Sequence, residues 1–169
     1  MIGILRSFRR DHSGVAAAEM ALMMPLLVIL MFGGLEAGHF LWNEHKLVKS
    51  VRDGARYAGR QSFSLVDCAT GTFTDANVIT ATKNLTRTGT IDGTGTPVVV
   101  GWDDNATEVT LSITCNAGTT TGIYQSLAAG APVVTVSGAV TYPTLFGPIV
   151  PGLQSVTLRA KSQAAVMGM

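Results

Sequence analysis

Few residues in this chain could do chemistry, and the first of them stand at the front of its most apolar run. There the stretch GVAAAEM sets a glycine, Gly14, before four small residues and a carboxylate, Glu19. A carboxylate about one helical turn inside a hydrocarbon layer costs a few kcal/mol unless it reaches water or meets a cation. Cleavage after Gly14 would supply the cation, because Val15 would become a new N-terminus with Glu19 as the fifth residue of the mature chain. In helices packed side by side with a one-step axial stagger, Glu19 of one copy meets the Val15 ammonium of the next, and both charges are compensated. Without cleavage, Glu19 is read as lying close enough to the headgroups to reach water.

The other candidates are sparser. Cys68 and Cys115 are the only cysteines, open to a bridge or to two buried thiols. No histidine follows His45, so residues 61–169 hold no Ser-His or Cys-His pair and no His-containing metal site is expected. No glycine-rich phosphate loop follows a strand pattern, and neither an enzyme nor a cofactor or small-molecule substrate is expected. Asp103, Asp104, Asn105 and Glu108 crowd together but lack the spacing of a calcium loop and read as a polar turn.

The element that must position Glu19 is a membrane helix. In residues 15–41 the only ionisable side chains are Glu19, Glu36 and His39, and residues 20–35 have none. About 20 apolar residues at about 1.5 Å each cross a hydrocarbon core of about 30 Å. Residues 15–42 are read as one span, mildly bent where Pro25 removes a helix hydrogen bond. A cleaved secretory signal fits poorly, since the apolar core is too long and no small-x-small site follows it. The whole chain has a mean hydropathy of +0.34. Its charged fraction is 14% and its formal net charge is +1, which leaves no field of one sign to gather nucleic acid.

Past the span, residues 43–60 contain no proline, and Leu47, Val51, Ala55 and Ala58 recur on one helical face. The helix is expected to continue out of the bilayer. Arg52, Arg56 and Arg60 form a second stripe, with Asp53 in reach of Lys49 and Arg56. That stripe is either a solvated face or, with Arg52, Asp53, Gly54, Arg56 and Tyr57, a docking face for a partner; Gly54 would let another backbone come close.

Residues 61–169 change character. ATEVTLSITC, VVTVSGAVTY and SVTLRAKS alternate apolar and polar residues, which predicts three or four antiparallel strands. A short helix is predicted over 74–88, capped by Asp75, stopped by Gly89, and facing inward with Val78, Ile79, Thr82 and Leu85. The fold class is α+β: a long N-terminal helix whose outer half packs on a small antiparallel sheet.

The basic leader in residues 1–14, the glycine, the glutamate and the unbroken apolar helix resemble the signal of type IV pilins. More narrowly, GVAAAEMALMMPLLVILMFGGLEAGHFLW followed by VRDGARYAG resembles the TadE/TadG-like pseudopilins of tight-adherence (Flp-type) pilus systems, and the strand, proline-rich loop and strand near the C-terminus are similar to that family's ending. The family has an aromatic after the glutamate, where this chain has Met20. The resemblance implies cutting by a prepilin peptidase between Gly14 and Val15, with Glu19 as the assembly glutamate. It further implies a minor rather than major pilin, partnered by other pilins and the assembly platform in the bacterial cytoplasmic membrane. Basic residues lie at both ends of the span and do not fix its orientation; the resemblance implies a cytoplasmic leader and an extracytoplasmic domain. In such a domain a Cys68–Cys115 bridge is expected. An uncleaved single-pass anchor bearing an extracytoplasmic binding domain is the alternative.

Overall fold

The computed structural model describes residues 13–102, 108–147 and 155–169. The leader up to residue 12, the Asp103, Asp104 and Asn105 cluster, and most of the proline-rich loop lie outside the described residues. The chain divides into two compact units, Met1–His39 and Phe40–Met169. Helix α1, Ser13–Gly59, runs through Pro25 as one helix. Then come β1 (Val66–Asp67), β2 (Thr72–Phe73), helix α2 (Ala76–Thr88), and strands β3 (Val109–Asn116), β4 (Ala131–Pro143) and β5 (Ser155–Ala165). The class is α+β.

In the first unit the described residues are helical, exposed from Gly14 to Leu35, with an 18-residue window of mean hydropathy 2.3 of which none is buried. Among the described residues this is the one helix long and apolar enough to cross a membrane.

The second unit is built on an antiparallel sheet in the order β3-β4-β5. Alternation explains its two faces. In β3, Val109 and Ile113 are buried while Thr110, Ser112 and Thr114 are exposed. Across the register Ile113 faces Val134 and Leu111 faces Val136, and on the far side Val140 faces Leu158. One sheet face is therefore apolar and needs a cover.

The cover is residues 40–59 of α1. Leu47, Val51, Ala55 and Ala58 are all at most 1% exposed, the face their spacing predicts. The contacts step along β4: Phe40 meets Tyr142 edge-on at 5.7 Å, and Leu47 and Val51 sit over Gly138. A Cβ added at Gly138 would come within 2.9 Å of Val51 and 3.3 Å of Leu47, so the absent side chain lets helix and sheet close up. Gly59 ends the helix against Ala164 and Ala165, and the Met167 N–H donates to its carbonyl at 2.8 Å.

Helix α2 starts where the Asp75 carboxylate accepts from the Asn77 N–H at 2.8 Å. It stops at Gly89, whose φ of 78° is the left-handed conformation a Cβ disfavours, and whose N–H donates to the Leu85 carbonyl. Its inward face agrees with the predicted one at Val78 and Thr82 and departs from it at Leu85 and Thr86. Val78, Thr82 and Thr86 are buried, whereas Ile79 and Leu85 are only half-buried. Threonine is tolerated there because each hydroxyl donates to the carbonyl four residues back, Thr82 to Val78 and Thr86 to Thr82, both at 2.7 Å. Val99 and Trp102, in the irregular stretch after α2, complete the core at 0% and 1% exposure.

Cys68 and Cys115 form a disulfide with Cα atoms 5.8 Å apart. It fastens the β1-β2 hairpin to β3, helped by the Ile113 N–H donating to the Gly71 carbonyl at 2.7 Å. The hairpin loop is tied by Asp67, whose carboxylate accepts from the Thr70 hydroxyl at 2.7 Å and the Ala69 N–H at 2.8 Å. These hydrogen bonds, the Thr70 hydroxyl foremost, hold the Asp67 carboxyl below its ordinary pKa.

Candidate functional site

The Gly14–Val15 bond lies in the first turn of α1. Among the described residues no heavy atom would touch a Cβ at Gly14, and Val15 is 53% exposed. Glu19 is exposed and follows Val15 by four residues, about 6 Å along the helix and on nearly the same face. The surface around them is apolar and outward-facing, with Met20, Leu22, Met23, Leu26, Leu27 and Ile29 all more than half exposed. An unbroken apolar surface of this kind has to be covered, by lipid or by other helices.

The residues singled out between 52 and 57 do not form one surface. Arg52 and Arg56 are exposed, and Arg56 pairs with Asp53 at 3.7 Å. That pair is solvent-screened and contributes little. Tyr57 is half-buried. Gly54 turns inward: a Cβ there would collide with the Thr86 hydroxyl and come within 3.6 Å of the Thr82 carbonyl. The close approach that Gly54 permits is thus an internal one, helix α2 against α1, and not a contact with a partner. Among the described residues no group of three or more His, Cys, Asp and Glu gathers to hold a metal.

Residues 14–56 match the family model described as TadE-like protein. This segment is TadE-like. The match begins at the glycine before the expected cut and takes in Glu19, the apolar helix and Arg56. It stops short of the disulfide, α2 and the sheet, so only residues 40–56 of the second unit lie within the matched segment. No curated protein and no solved structure matches the chain.

A feature that sequence reading missed sits toward the C-terminal end of the TadE-like segment. Trp42, His45, Lys46 and Lys49 of α1 form one wall of a groove of about 500 Å³, and Leu85 and Val98 form the other. The Lys46 ammonium lies 5.5 Å from the Trp42 ring centroid, a cation–π contact. Residues 42–49 gave a helical signal, but nothing in their spacing pointed to residues 85 and 98.

Proposed function

We propose that this chain is a minor pilin-like subunit of a tight-adherence pilus or related secretion pseudopilus. In this reading a prepilin peptidase removes the leader after Gly14, and the Val15 ammonium thus freed pairs with Glu19 of a neighbouring subunit. A relative shift of about 6 Å along the helix axis brings the two into register. Both charges then lie in lipid as a pair, so assembly relieves the cost of placing the carboxylate there. The sheet domain stands outside the cytoplasmic membrane, and the partners are other pilins and the assembly platform. No catalysis, nucleic acid or small-molecule substrate belongs to the role.

The observation that carries the reading is the TadE-like match on a helix whose apolar side chains are exposed from Val15 to Leu35. The test is Glu19→Ala in the full chain, scored by membrane content and by incorporation into sheared surface fibres. Membrane content should hold or rise, since a charge has left the bilayer, while incorporation falls roughly tenfold or more. Unchanged incorporation would sink the pairing mechanism.

A further inference from the structure

The groove beside Trp42 lies where the apolar helix surface gives way to basic residues. Leu41 and Trp42 are 51% and 61% exposed, and an exposed tryptophan at the end of an apolar helix is the residue type that marks a membrane interface. Lys46 stands about 6 Å and Lys49 about 10 Å further along α1. Each headgroup layer is roughly 5–8 Å thick, and lysine stems bridge the remaining distance by bending their ammonium groups toward it.

The charges in the groove favour an anion. Lys46 and Lys49 line it, while the one carboxylate among its described lining residues, Asp53, already pairs with Arg56 at 3.7 Å. The opposite wall is apolar at Leu85 and Val98. The nearby end of α2 is not an array of open carbonyls, because those of Leu85 and Arg87 accept from the Gly89 and Val98 N–H groups at 2.9 and 2.8 Å. A phosphate beside the lysines is therefore shielded from water on one side without facing an unsatisfied helix C-terminus.

We propose that this groove seats the headgroup of an anionic phospholipid drawn from the leaflet at the C-terminal end of the span, with its phosphate between Lys46 and Lys49 and its glycerol against the Trp42 ring. The inference rests on helix α1 crossing a membrane and is independent of leader cleavage and of any pilus. The seated lipid fixes the depth of the helix at the point where the folded domain begins.

The chain has two tryptophans, and Trp102 is 1% exposed, so quenching by acyl-brominated lipids reads Trp42. The full-length protein is placed in nanodiscs doped with either brominated phosphatidylglycerol or brominated phosphatidylcholine at equal fractions. The anionic lipid should show an apparent occupancy on the order of tenfold higher, and Lys46→Gln with Lys49→Gln should abolish the preference. Arg52→Gln with Arg60→Gln removes the same charge from exposed positions outside the groove and should preserve it. Equal quenching by both lipids in the unmodified protein, or equal loss in the two double variants, would overturn the proposal. Glycerol 3-phosphate in the buffer should leave the quenching unchanged. If it relieves the quenching, the groove is a site for soluble phosphate esters and the lipid assignment is wrong.

Discussion

Gly54 of helix α1 lies against Thr86 of helix α2 so closely that a methyl group on Gly54 would overlap the Thr86 hydroxyl and come within 3.2 Å of its Cβ. The threonine cannot easily turn aside, because its hydroxyl donates to the Thr82 carbonyl at 2.7 Å. Gly54→Ala is therefore expected to destabilise the second unit by about 1–2 kcal/mol, after a helix-propensity gain of up to about 1 kcal/mol partly offsets the overpacking. In a Thr86→Ala background the same change should be neutral or stabilising. A double-mutant cycle by chemical denaturation measures the coupling, and additive effects would mean that the two helices do not meet here.

The disulfide makes a second prediction. Cys68 and Cys115 are 47 residues apart in sequence, and closing a loop of that size is worth about 4 kcal/mol on the chain-entropy account. Reduction, or Cys68→Ser with Cys115→Ser, should lower the melting temperature of the detergent-solubilised protein by roughly 10 °C or more. An unchanged melting temperature would mean that the hairpin is held by its hydrogen bonds alone.

Asp67 offers a pH-dependent check on the same hairpin. The Thr70 hydroxyl and the Ala69 and Thr70 N–H groups favour its ionised form. Its folded pKa is lower than its unfolded one, so its contribution is complete above the ordinary aspartate range and is lost as pH falls through the folded value. Carboxyl-carbon NMR should place its midpoint below that of an unstructured aspartate, and Thr70→Val should raise it. A midpoint at or above the ordinary value would show that the loop does not hold this geometry in solution.

How much of this was legible in the sequence depends on where periodicity and hydropathy agree. Leu47, Val51, Ala55 and Ala58 were readable because all four are apolar and fall on one helical face, and all are buried. Strand β3 was readable because Thr110, Ser112 and Thr114 interrupt Val109, Leu111, Ile113 and Cys115 without exception. Helix α2 was only half readable: Val78 and Thr82 are buried as their positions predict, but Thr86, packed against Gly54, is buried where hydropathy favours Leu85. Trp102 and Val99 sit in a stretch with no period. Strands β1 and β2 have two residues each, too few for alternation to register. In the candidate site, the spacing from Gly14 to Glu19 stood in the sequence. The groove did not, because its walls are joined only by the fold.

The most direct test is the N-terminus itself. Intact mass and N-terminal sequencing of the protein from cells with and without the prepilin peptidase, with Gly14→Ala as control, read it without ambiguity. The account predicts a chain beginning at Val15 only when peptidase and Gly14 are both present, lighter by about 1.6 kDa for the lost leader. A chain that keeps Met1 under every condition would leave Glu19 without its partner amine and contradict the proposed role, favouring a single-pass anchor for the outer domain.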